Sequence, residues 1–148
     1  MASAKELIER GLEAWRERDA DAFSALYAED AVFIGPGGME LHGPEGARQF
    51  MGIWTEAVPD NEITIDHEYT CGDSVVVQEG TFSGTHTGNL VSPDGEVIPP
   101  TGRSLKAKYA DVFELDGELI KSERIYYDQV EMLTQLGLMP APAQAAGS

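Results

Sequence analysis

The feature that most constrains this chain is a change of hydrophobic period near residue 60. Before it, apolar residues recur at three- and four-residue spacing. After it, they alternate with polar ones, which suits a half-buried strand and no helix. Residues 3–18 predict a helix: Ser3 and Glu6 have capping-box spacing, and Leu7, Ile8, Leu12 and Trp15 share one face. Asp19 or Asp21 caps a second, short helix whose stripe is Phe23, Leu26 and Tyr27. "DAVFIG" and "MELHG" predict short strands around the "PGG" turn. Gly43 and Pro44 then open a third helix with Ala47, Phe50, Met51, Trp54 and Val58 on its apolar side, and Pro59 ends it.

Beyond that point four strands are expected, over 61–70, 73–88, 103–115 and 118–128. Their connections carry the turn chemistry of "CGD", "SPDGE" and "LDGE". "QVEMLTQLGL" closes the chain as a short helix before Pro140, with Asp128 as its N-cap. The small polar segment 141–148 is expected to be a disordered tail. Helices first and a meander of strands afterwards predict a single α+β domain over 1–140. Gly80, Gly84 and Gly88 permit the long strands to bend.

Charge excludes several partners. The chain carries 26 acidic against 10 basic residues, a net charge of −16. A nucleic-acid binder needs Lys and Arg against phosphate, so nucleic acid is excluded as a partner. No apolar run reaches a membrane span, and the charged N-terminus lacks a signal-peptide core, so no membrane association and a cytoplasmic location are expected. Cys71 is the single cysteine, and His42, His67 and His86 are scattered without metal-ligand spacing, so no metal is expected. No phosphate-binding glycine loop and no nucleophile elbow is present, and no cofactor is expected.

Candidate site residues lie on the strands. Asp111 alternates with Ala107, Tyr109 and Phe113, so a carboxylate interrupts an apolar face, the informative exception in such a pattern. Tyr27, Trp54, Tyr109 and Tyr127 are candidates to line a pocket or the core. On the strand 73–88, Gln78, Phe82 and His86 share one face and Glu79 and Thr81 the other. The pattern leaves open which of the two is inside. His86 lies in "GTHTGNLVSPDGEVIPPTGR", a stretch that reads as the tip of a long hairpin. It is a candidate catalytic group that orients oxygen atoms, and its place near the hairpin end puts it at the pocket rim or at a dimer contact rather than at the pocket floor.

The ordered set "LYAEDAVF", "GPEGARQFM", "AVPD", "GTHTG", "PPTGR", "DVFELDGELI", "YYD" and "QLGL" resembles the SnoaL-like polyketide cyclase (ester cyclase) family of the nuclear-transport-factor-2-like superfamily. The resemblance covers about residues 5–140. It implies a cone-shaped barrel in which three N-terminal helices pack on a strongly bent antiparallel sheet around a central pocket. It also implies a homodimer formed through the outer sheet face.

For activity the resemblance implies cofactor-free general acid/base chemistry of cyclase, isomerase or dehydratase type. The substrate it implies is a hydrophobic, oxygenated, polyketide-like small molecule. The family's catalytic Asp falls at the position of Ile125, which here leaves Ile125 as a substrate-contacting residue. Strand alternation offers Glu123 in its place, on the face shared with Ile125 and Tyr127. The competing reading of Glu123 is a surface carboxylate paired with Lys106 or Lys108. If Asp111 and Glu123 both face inward, their repulsion separates their pKa values and makes an acid/base pair. The absent Asp at 125 also supports a second reading, a non-catalytic protein that holds a hydrophobic metabolite in the same pocket. Epoxide hydrolysis, which needs an Asp–Arg–Asp constellation, ranks last.

Overall fold

The computed structural model describes residues 2–140; the expected tail at 141–148 lies outside the described residues. The chain begins with α1 (Ala4–Arg16) and α2 (Ala20–Ser24). It continues through β1 (Tyr27–Gly35), a single 3-10 turn at Pro36–Gly38, β2 (Met39–His42) and α3 (Gly43–Ala57). Then come β3 (Glu62–Cys71), β4 (Val75–Thr85), a small hairpin of β5 (Leu90–Val91) and β6 (Val97–Ile98), β7 (Ser104–Asp116), β8 (Leu119–Tyr127) and α4 (Gln129–Gln135).

The caps form where the sequence places them. Ser3 accepts from the Glu6 amide, Asp19 from Ala22, and Asp128 from Glu131. Tyr27 is a correction: it opens β1, whereas the stripe it shares with Phe23 and Leu26 predicts it on α2.

Six strands form one sheet in the order β2-β1-β8-β7-β4-β3, and β5 and β6 pair by themselves. The expected antiparallel sheet is therefore mixed. The meander β3-β4-β7-β8 is antiparallel, but β1 runs parallel to β8. The reason is topological. The turn Pro36–Gly38 and β2 form a hairpin with β1, and α3 then carries the chain to the far edge, so β1 pairs with the last strand. Register shifts in β3, in β8 where it pairs with β7, and along the β1–β8 pair mark bulges, which increase the local bend.

Helices α1 and α3 lay their apolar faces on the inner face of this sheet. Leu7, Ile8, Ala14 and Trp15 from α1 and Ala47, Phe50, Met51 and Trp54 from α3 are buried. Edge-to-face and tilted rings knit the layer, Trp15 against Phe23 at 5.6 Å and Phe33 against Phe50 at 4.4 Å. The hairpin base closes the end of α3. The amides of Thr87 and Gly88 donate to the carbonyl of Ala57 at 3.2 and 3.1 Å, satisfying an acceptor that the helix leaves free. A Cβ on Gly88 would stand 1.8 Å from the Glu56 carbonyl oxygen, so only glycine allows this approach.

Candidate active site

Strand register sets the site. On the inner face, Tyr109 of β7 stands opposite Tyr127 of β8, Asp111 opposite Ile125, and Phe113 opposite Glu123. On the other flank of β7, Gly80, Gln78 and Val76 of β4 stand opposite Tyr109, Asp111 and Phe113. Asp111 and Glu123 are thus diagonal neighbours on adjacent strands, a spacing that long side chains can bridge. Gly80 leaves room for its partner's ring: a Cβ there would lie 2.6 Å from the Tyr109 hydroxyl oxygen.

These residues face a cavity of about 110 Å³ between the sheet and the helices. Tyr27, Trp54, Tyr109, Ile125, Tyr127, Asp111 and Glu123 all line it, as expected from the alternation. The face of β4 left open by the sequence is settled: Gln78 and Phe82 line the cavity, whereas Thr81 bonds Asp66 on the outer face. Lys108 also meets Asp66, at 3.2 Å, so the surface pairing considered for Glu123 does not form with it. An aromatic collar of buried Trp54 and half-buried Phe82 and Tyr127 stands in the cavity wall. Trp54 packs edge-to-face on Phe82 at 5.4 Å and on Tyr127 at 6.2 Å. The carboxyls lie deeper, Asp111 at 5% and Glu123 at 4% exposure.

The electrostatics follow from that burial. Asp111 is held well above the usual carboxylate range, first by loss of water and then by the neighbouring Glu123. Glu123 is also raised by burial, but hydrogen bonds from Asp111 and Tyr27 oppose the rise. The Tyr27 hydroxyl donates to Glu123 Oε1. Burial in turn raises the Tyr27 phenol well above its ordinary value, and the same cause pushes Tyr127 up to about 12. Burial raises both carboxyls, and the charge of Glu123 adds to the rise at Asp111, so the pair resists ionising together. Asp111 Oδ1 is buried without a hydrogen-bond partner and belongs to the cavity wall.

His86 is not brought to this cavity. It is fully buried at the hairpin base, outside the lining, with Nδ1 3.0 Å from the Thr101 hydroxyl and 3.3 Å from its amide. Burial lowers its pKa. The expected position at the pocket rim is thus corrected: His86 stands outside the lining that holds Asp111 and Glu123. The physical reason is that β4 ends at Thr85, so the alternation that puts Gln78 and Phe82 inward stops short of residue 86.

Among curated proteins, none is recognisably similar in sequence. The sequence model of the SnoaL-like domain matches residues 8–123. The chain belongs to the SnoaL-like domain family. The match takes in Tyr27, Asp111 and Glu123, the three residues of the polar cluster. Solved structures of similar shape include IdmH from Streptomyces antibioticus, provisionally described as a polyketide cyclase. It is 25% identical with a TM-score of 0.72, over 90% of this chain and 97% of that one. TsrD from Streptomyces laurentii is 25% identical with a TM-score of 0.75, covering 91% and 95% of the two chains. AclR from Streptomyces galilaeus, provisionally described as a hydroxylase, is 17% identical with a TM-score of 0.76, covering 95% and 84%. Different chemistries are thus attributed to one SnoaL-like frame, and the side chains of this cavity must carry the functional argument.

Two contributors to the site escaped the sequence reading. Tyr27 was expected as lining, but its bond to Glu123 crosses from the first strand to the last, a contact between partners 96 positions apart that no local pattern reveals. Met132 of α4 closes the cavity from the terminal helix. Its signal was its place among the apolar positions of "QVEMLTQLGL". Among the described residues, no group of three or more His, Cys, Asp or Glu is arranged to hold a metal ion. Among the described residues, no helix is long and apolar enough to cross a membrane.

Proposed function

We propose that this protein is a cofactor-free acid/base enzyme of cyclase, isomerase or dehydratase type, acting on a hydrophobic, oxygenated, polyketide-like substrate. The observation that carries the reading is the Asp111–Glu123 pair at the deep end of an otherwise apolar cavity. A carbonyl oxygen of the substrate accepts the Asp111 proton as a hydrogen bond. That turns the proton away from Glu123 and makes the Glu123 carboxylate the stronger base. Glu123 then takes the proton from the carbon beside the carbonyl. The C–H electron pair moves into the enolate, whose oxygen charge is held by Asp111. Protonation at another atom, or attack of the enolate on a second carbonyl, completes isomerisation or cyclisation. Tyr27 fixes Glu123, and the aromatic collar keeps water from the enolate.

The test needs no knowledge of the natural substrate. Deuterium exchange at the carbon beside the carbonyl of a cyclic ketone, followed by proton NMR, reads the first step alone. The wild type is expected to accelerate exchange. Asp111→Asn and Glu123→Gln are each expected to lower the rate by about 10²-fold or more, the usual contribution of a positioned acid or base. Full activity in both variants would sink the assignment.

One observation favours a second reading, a binding protein for a hydrophobic metabolite: Ile125 puts an apolar side chain where the resemblance implies a carboxylate. Tight capture of a compound that is recovered unchanged, with no exchange on any ketone, would favour it. A cytoplasmic homodimer belongs to the same proposal. Tyr69 and Tyr126, 58% and 55% exposed on strands of the sheet, support the outer face as the contact. Sedimentation at equilibrium tests it.

A further inference from the structure

The deep end of the cavity holds no cationic side chain. Its lining includes two carboxyl side chains and no lysine, arginine or histidine. The Tyr27 hydroxyl is already committed to Glu123. Asp111 Oδ1 has no partner, although the side chain is only 5% exposed. Gln78, the cross-strand neighbour of Asp111, is 4% exposed and donates from Nε2 to Glu68 Oε2 at 2.7 Å. A carboxylate accepts only, so that bond fixes the amide orientation and leaves the Gln78 carbonyl oxygen as its free end. Nearby cations are engaged elsewhere. Lys5 lies 4.0 Å from Glu68 Oε1, beyond Gln78, and Arg16 donates to the Ile63 carbonyl at 3.0 Å.

Two neighbouring acceptors beside a carboxyl pair with no counter-cation select a ligand head that donates several hydrogen bonds and carries positive charge. We propose that the deep end of this cavity is a recognition site for hydrophobic primary amines in their protonated form. An ammonium group has three donors and no acceptor, which suits Asp111 Oδ1, Gln78 Oε1 and Glu123. The apolar body of the ligand then lies in the collar of Trp54, Phe82, Tyr109 and Tyr127. The volume, about 110 Å³, is of the order that takes a single aromatic ring. Tyr109 and Tyr127 are the other titratable groups facing the head, and both stay protonated well above neutral pH because burial raises them. The inference goes beyond the catalytic reading. An ammonium draws the pair towards carboxylate, so such an amine inhibits proton transfer from carbon.

The experiment uses the full chain and five phenethyl probes at neutral pH: phenethylamine, phenethyltrimethylammonium, phenethyl alcohol, propylbenzene and phenylpropanoate. Quenching of Trp15 and Trp54, both in the lining, or calorimetry reads binding. Phenethylamine is expected to bind at least about tenfold more tightly than the alcohol, the increment of a charge-assisted over a neutral hydrogen bond, with the anion weakest. Phenethyltrimethylammonium, which keeps the charge and loses the donors, is expected to bind more weakly than phenethylamine. In the Asp111→Asn/Glu123→Gln double variant the amine-over-alcohol preference falls to about onefold. Because that variant must be shown folded, Gln78→Leu serves as the second probe and loses about threefold or more for the amine alone. Equal binding of amine and alcohol, or a preference that survives the double variant, overturns the proposal. Ketone exchange without amine preference defeats this inference only. Amine preference without ketone exchange defeats only the catalytic reading.

Discussion

Two buried polar clusters in this molecule differ in what stands on their far side. Asp111 and Glu123 sit under the sheet's inner face and border open space. His86, with no exposed surface, and Thr101 sit at the hairpin base, outside the lining of that cavity. Both contain a buried atom without a partner, Asp111 Oδ1 in the first and His86 Nε2 in the second. Burial and an unsatisfied atom therefore do not identify a site by themselves. A neighbouring volume that a ligand can enter makes the difference. The first cluster borders the cavity, and the second ties the β4–β7 hairpin to itself, beside the Thr87 and Gly88 bonds to α3.

The largest contrast is expected in activity. Asp111→Asn or Glu123→Gln should lower ketone exchange by about 10²-fold or more, whereas His86→Gln should leave it within a few-fold in the folded fraction. Equal losses at the two places would erase the distinction. Stability should divide the other way. His86→Ala removes a fully buried side chain and its bond to Thr101, and should cost about 2–4 kcal/mol in urea unfolding. Gly88→Ala, which drives a methyl group into the Glu56 carbonyl, should be comparably damaging through the same hairpin–helix junction. Asp111→Asn should be neutral or stabilising above pH 7.

The pH dependence sharpens the comparison because the two signs are opposite. The carboxyls of Asp111 and Glu123 are raised in the folded state, so the folded chain holds protons that the unfolded chain has lost. Their burial is tolerated below the unfolded carboxylate pKa, near 4, and becomes increasingly destabilising as pH rises towards their folded values. Each unit of difference is worth about 1.4 kcal/mol. His86 is lowered, so its contribution is complete above the unfolded histidine pKa, near 6.5, and is lost as pH falls through its folded value. Asp111→Asn should therefore flatten the alkaline side of the stability profile, and His86→Gln the acid side near pH 6. Unfolding midpoints against pH read both. The smallest effect is expected from Tyr27→Phe. Losing its donor should raise the Glu123 pKa, move the exchange profile to higher pH and cost about 1 kcal/mol.

The sequence was legible where structure is local or periodic. Ser3, Asp19 and Asp128 cap the helices that their spacing predicts. The alternation around Asp111 and around Glu123 reports the inward face correctly because side chains of a strand point to opposite faces with a period of two. It was illegible where partners are remote. The parallel pairing of β1 with β8 and the Tyr27–Glu123 bond both follow from α3 carrying the chain across the sheet, which no window of residues records. His86 shows the limit of extending a period. It shares parity with Gln78 and Phe82, but the strand that gives parity its meaning ends one residue before it.

The central claim is that Asp111 and Glu123 form one proton-sharing pair inside the cavity. A titration of carboxyl carbon shifts in protein labelled at Asp and Glu, with Asp111→Asn and Glu123→Gln used for assignment, tests it most directly. The account predicts that both carboxyls titrate above the usual carboxylate range, that Glu123 ionises before Asp111, that replacing Glu123 lowers the pKa of Asp111, and that replacing Asp111 shifts the titration of Glu123. Two independent titrations near 4, unchanged when the partner is replaced, would contradict it.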